Sequence, residues 1–82
     1  MSDVSDMELL RDYDQRGSNE AFAELAGRHV NLVYSAALRQ VGRAACAEEI
    51  TQAVFVILAR KAASLRRDLI LPAWLHETTR LT

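Results

Sequence analysis

The sequence predicts an all-α fold, a compact bundle of about four helices, and three observations point to it. Apolar residues recur at spacings of three and four along most of the chain, and no stretch alternates at period two as a half-buried strand would. Glycine and proline together number four in 82 residues, and three of them, Gly17, Gly42 and Pro72, punctuate the periodic segments. Residues suited to helix ends stand at those same breaks.

The first helix starts after Ser5. Its hydroxyl is placed to cap the first turn while Glu8 reaches back, the S-x-x-E capping box. Leu9, Leu10 and Tyr13 form its apolar side, and Gly17 ends it. Ser18 or Asn19 caps the second helix, with Glu20 in the first turn where the dipole favours an acid. This helix runs to about Val41 and stops at Gly42. Phe22, Leu25, Ala26, Leu32, Val33, Ala36, Ala37 and Val41 recur at three and four; Val30, Tyr34 and Leu38 widen the stripe. A stripe that broad makes the second helix the expected centre of the bundle. The third helix is expected from about Ala47 to Leu65, its acids at the positive end of the dipole and Arg60 and Lys61 near the negative end. RRDLI is then a short loop, and Pro72 suits the first turn of a fourth helix carrying Trp74 and Leu75.

Bulk properties narrow the class. A chain of 82 residues makes one small domain, and one this size buries only about 60% of its unfolded surface. Half of the residues are hydrophobic, which argues against disorder. The longest apolar run, AVFVILA, is far too short to cross a bilayer, and the acidic start MSDVSDMELL is unlike a secretory signal. A lone cysteine, Cys46, rules out an internal disulfide and fits a reducing cytoplasm. The net charge of −1 is unevenly spread: residues 1–40 hold four bases and seven acids (−3), residues 41–82 six bases and four acids (+2). Any nucleic-acid site is therefore a local patch towards the C-terminus. The chain stops at TTRLT, inside an apparent helix with no cap, so residues 1–82 read as one domain cut from a longer protein.

Catalytic chemistry finds no support. His29 and His76 are the only histidines, and neither stands in metal-ligand spacing with Cys46. Glu48 and Glu49 are adjacent and so diverge by about 100° on a helix. There is no glycine-rich phosphate loop and no nucleophile with a base. The expectation is a non-enzyme without metal or cofactor, with His29 an ordinary helix-face residue and Cys46 a small buried hydrophobe.

The third helix poses the question of function. At 100° per residue, Ile50, Val54, Ile57, Leu58 and Leu65 fall on one side with Phe55 at its edge, an ordinary core stripe. The opposite side carries Glu48, Glu49, Gln52, Ala53, Val56, Ala59, Arg60 and Ala63. A face meant only for water is usually richer in Lys and Glu. Two readings follow from the pattern: a partner surface, or a second core face covered by the first helix or the N-terminal arm.

The run A-E-E-I-T-Q-x-V-F, followed about twenty residues later by A-W-L-H-x-x-T-R, resembles region 2 of bacterial sigma factors. Upstream, NEAFAELAGRHVNLVYSAALRQVG is similar to the corresponding segment of the extracytoplasmic-function group, so the resemblance covers roughly residues 8 to 80. It implies a helical transcription initiation domain, without cofactor, that binds the clamp coiled coil of RNA polymerase and recognises and helps open the −10 promoter element. The helix-turn-helix domain for the −35 element would lie beyond this chain. An anti-sigma factor is a further implied partner, and no membrane is. On the residues alone, the competing reading is a helical protein-binding adaptor that never touches nucleic acid.

Carried over residue by residue, the resemblance assigns polymerase contacts to Glu49 and Gln52, three apart on one face, with Val56 a turn further on. Glu49 replaces a commoner Asp, and Ala53 stands where an acid often follows the Gln, which removes one charged contact. The DNA side falls on Lys61 to Pro72 and the start of the fourth helix, where a flipped base of the non-template strand enters a pocket. Lys61, Arg66, Arg67 and Arg80 are the phosphate candidates, opposed by Asp68 and Glu77, with Trp74 and His76 beside them. Of Trp74 and Leu75, about 100° apart, Leu75 is expected to be the deeper. The family's usual Asn after the Arg is Leu81 here.

Overall fold

The computed structural model describes residues 4–82, so residues 1–3 of the expected domain lie outside the described part. Four helices follow in order, α1 (Asp6–Arg16), α2 (Asn19–Val41), α3 (Ala44–Lys61) and α4 (Leu71–Leu81), with no strand among the described residues. The all-α expectation holds. At about 1.5 Å per residue, the 23 residues of α2 span roughly 34 Å. The longest dimension of the molecule is 36 Å, so α2 is its spine, and α1, α3 and α4 all pack against it.

Local chemistry fixes the first two joints. The Glu8 N–H donates to Ser5 Oγ at 3.1 Å, forming the hydroxyl half of the capping box. Ser18, not Asn19, caps α2, since its Oγ accepts from the Ala21 N–H at 3.1 Å. Gly17 and Gly42 close α1 and α2 at φ 65° and 70°, a left-handed geometry in which a Cβ is strained. Across the first joint, the Tyr13 and Phe22 rings lie 4.7 Å apart. Each turn is two residues long, which brings α1 and α3 directly against α2.

Inside, Leu10, Leu25, Val33, Val54, Leu58, Leu71 and Leu75 have almost no exposure, and Leu9 and Ala21 complete the core. On α2 the buried residues are Ala21, Leu25, Val33 and Ala37, a strict row at spacing four whose missing member is His29. His29 is half-buried, and its Nε2 lies 2.9 Å from Asp6 Oδ2, while Arg28 donates to Asp6 Oδ1 at 3.2 Å. It therefore ties α1 to α2 rather than being an idle helix-face residue. Leu32 and Val41, expected in the stripe, are 38% and 37% exposed because a helix apolar on nearly all sides cannot bury every side against three neighbours. Thr51 and Thr79 take buried positions instead. Their hydroxyls donate to the Ala47 and Leu75 carbonyls at 2.7 Å, which satisfies the buried oxygens. Cys46 is half-buried, less enclosed than expected.

α3 departs from expectation at both ends. Arg43 is extended (φ −128°, ψ 128°), and the strong helix formers Ala44 and Ala45 begin the helix three residues early. Glu48 and Glu49 thus lie in the second turn, beyond the first-turn reach of the dipole, whereas Arg60 and Lys61 do occupy the last turn. The helix ends at Lys61, before Leu65. Ser64 donates to the Lys61 carbonyl with both its N–H (2.9 Å) and its Oγ (3.0 Å), a local bond that competes with helix continuation. Leu65 and Leu69 then turn back onto the core, so the loop spans 62–70 and is longer than RRDLI. α4 opens with Pro72 in its first turn, and its end is not bare: the Thr82 N–H reaches the Thr78 carbonyl at 3.0 Å.

Candidate functional site

The face of α3 turned from the core remains uncovered. Glu48, Glu49, Gln52 and Arg60 are exposed, Ala53 and Ala59 half-buried, and Val56 is 50% exposed. Neither α1 nor the described part of the N-terminal arm covers this row. Glu49 and Gln52 make no ion pair or hydrogen bond among the described residues, so their polar groups are free for a partner.

Beside this row the structure adds something the sequence reading missed. Gln52, Phe55, Val56 and Ala59 of α3 form one wall of an open groove, and Phe22, Ala26 and Val30 of α2 form the other. The groove is almost wholly apolar, with Gln52 as its polar edge. An uncovered apolar channel beside free polar groups is the anatomy of a protein-binding surface, apolar at the centre and polar at the rim. Val30 was visible only as a residue widening an already broad stripe. Which side of α2 faces α3 is set by tertiary contact, not by periodicity.

The loop after α3 forms a second surface. Leu69, Ile70, Ala73 and Trp74 line a shallow apolar depression, with Arg66, Asp68 and Glu77 around it. Leu75 is fully buried whereas Trp74 is half-buried, resting partly on the core. Ile70 is 71% exposed, a large β-branched side chain held out in the loop just before α4. The residue directly ahead of Pro72 is Leu71, which is buried, so nothing in the run Leu69–Ile70–Leu71 marked Ile70 as the one to point outward.

The candidate cations are not equivalent. Arg66 pairs with Asp68 at 3.0 Å, both well exposed. Arg80 pairs with Glu77 through two bonds, Nε to Oε2 being 3.1 Å. The bond from Arg80, with its charge and that of His76, holds the Glu77 carboxyl below its usual range. Glu77 in turn holds Arg80 more firmly protonated. Lys61 and Arg67 have no carboxylate partner among the described residues. His76 is exposed but lies about 200° around α4 from Trp74, so the structure does not bring the two together.

Across residues 25–82 the chain matches the Sigma-70 region 2 family. The matched span begins inside α2, so it takes in Glu49, Gln52, Val56, the whole loop and α4, but leaves α1 and Phe22 outside. No curated protein and no solved structure gives a match. The family is one of non-catalytic transcription initiation factors, and its members act with RNA polymerase core and promoter DNA. With more than half of its length matched, and with an all-α fold of four helices, this chain belongs to the sigma-70 region 2 family.

Proposed function

We propose that this domain, of extracytoplasmic-function type, docks on the clamp coiled coil of bacterial RNA polymerase through the α2–α3 groove and the row Glu49, Gln52, Val56. Its 62–70 loop and the start of α4 then take the non-template strand of the −10 element and help to open it. The work is that of a cytoplasmic initiation factor, and an anti-sigma factor would compete for the same uncovered surfaces.

One observation carries the reading: the family-matched helix leaves its Glu49–Gln52–Val56 row free and opens it onto an apolar groove. A coiled-coil partner fits such a surface, laying apolar side chains in the channel while its rim charges meet Glu49 and Gln52. On the DNA side, Trp74 and Ile70 supply a surface for an unstacked base, and Lys61 and Arg67 supply free charge for its backbone. Ala53 offers no charge to the partner. The test is a titration with a clamp coiled-coil fragment. Hydrogen bonds to charged partners contribute about 1.5–3 kcal/mol, so Gln52→Ala should weaken binding about tenfold or more. The thermal midpoint should stay within a degree or so, because an exposed Gln→Ala on a helix is close to neutral. Unchanged affinity would remove this row from the interface.

A further inference from the structure

We propose that the cleft between α1 and the 62–70 loop is a phosphate subsite for single-stranded DNA, in which Arg11 and Arg67 hold one backbone phosphate between them. The inference rests on the DNA reading of the loop and extends it to a helix outside the family-matched span.

The cleft has room for about 190 Å³ and a mostly polar surface, with Met7, Leu10 and Leu65 among its apolar lining. Two arginines from elements far apart in sequence line it, Arg11 from α1 and Arg67 from the loop. Arg16, Arg28, Arg66 and Arg80 each have a carboxylate partner within 4 Å; Arg11 and Arg67, like Arg39, Arg43 and Arg60, have none among the described residues, and what sets Arg11 and Arg67 apart is that they share one cleft. A guanidinium that makes no ion pair is available to an external oxyanion, which it can bind through two parallel N–H donors.

Position supplies the occupant. Arg66 borders the Trp74 depression and Arg67 lines the cleft, so consecutive loop residues join the two surfaces. A strand with a base on Trp74 and Ile70 that continues past Arg66 reaches Arg67 and the cleft. Lys61 ends the helix whose continuation, Ala62 and Ala63, forms the cleft wall, and it adds a further unpaired charge nearby. Asp14 opposes: it shares the cleft and reduces its net charge to a single positive. That opposition makes the inference testable in both directions.

The probe is a labelled single strand of mixed sequence, about 16 nucleotides long, titrated by anisotropy. Titrations at about 50 to 200 mM salt give the log–log slope. Arg11→Gln should lower that slope by about 0.7, which corresponds to about fivefold in affinity at 0.1 M salt relative to 1 M. Arg11→Lys should restore most of the slope, and Asp14→Asn should tighten binding. Arg39→Gln, on an exposed arginine bonded to its own helix carbonyl, should change neither quantity. Circular dichroism shows that each variant is folded. Wild-type slope and affinity in Arg11→Gln, alongside weakened binding in Arg66→Ala/Arg67→Ala, would overturn the subsite and leave the loop reading standing. Intact DNA binding with lost polymerase binding in Arg11→Gln would assign the cleft to an acidic protein segment and equally overturn it. A wild-type domain that does not bind the strand at all would overturn both.

Discussion

Replacing Trp74 by alanine perturbs a core contact and a candidate base platform together, and the structure separates their magnitudes. A fully buried aromatic truncated to alanine costs about 3–5 kcal/mol, but Trp74 is only half-buried, with its inner face on the cluster that contains Leu71 and Leu75. About half of that cost, roughly 2 kcal/mol, is expected, or about 10 °C in the midpoint of a domain this small. The outer face lines the depression with Ile70 and Ala73. If a base stacks there, its loss removes a further 1–3 kcal/mol of DNA affinity, about five- to 150-fold. Anisotropy at a temperature where both proteins are fully folded isolates the second effect, and Trp74→Phe, which keeps a ring, should recover part of it. Trp74 is the only tryptophan, so intrinsic fluorescence reports on it alone. Its emission should be intermediate and should quench when the single strand is added. A blue emission indifferent to DNA and to soluble quenchers would refute the reasoning, as would an affinity loss no larger than the unfolded fraction explains.

Other perturbations test the frame and the charges. Gly42→Ala forces a Cβ into a left-handed turn with nothing nearby to offset it and should cost about 1 kcal/mol, whereas Gly27→Ala, in the middle of α2 with open space around it, should stabilise by about 0.5–1 kcal/mol; equal effects in urea melts would contradict the α2 boundaries. Asp6→Ala removes the acceptor shared by Arg28 and His29 and a first-turn acid of α1, so a loss of about 1 kcal/mol is expected, and an unchanged midpoint would mean that the pair does not anchor α1. Glu77→Gln frees Arg80 and should raise the salt slope of DNA binding by up to about 0.7; no change would place Arg80 away from the strand.

The elements most legible in sequence were those set by local chemistry. Ser5, Gly17, Ser18 and Gly42 mark their joints because a hydroxyl cap or a left-handed residue acts within a few positions. The ends of α3 were not legible in this way. ARKAASL has helical propensity throughout, and the stop at Lys61 depends on Ser64 taking a carbonyl while Leu65 swings onto the core. At the candidate site, the exposed side of α3 could be read from periodicity, because one stripe was plainly core. Its partner wall, Phe22, Ala26 and Val30, could not, since α2 is apolar on several sides and only the docking of α3 selects among them. The cleft joining Arg11 to Arg67 is non-local as well and has no sequence signature.

The central claim, that the α2–α3 groove is the polymerase surface, is tested most directly by site-specific photo-crosslinking with RNA polymerase core. A photoreactive residue at position 56 sits at the rim of the groove, and one at position 39 sits on exposed α2 surface away from it. The account predicts a crosslink from position 56 to the clamp coiled coil, lost on adding Gln52→Ala, and none from position 39. Equal crosslinking from both positions, or none from position 56 while the domain still co-purifies with core, would contradict it.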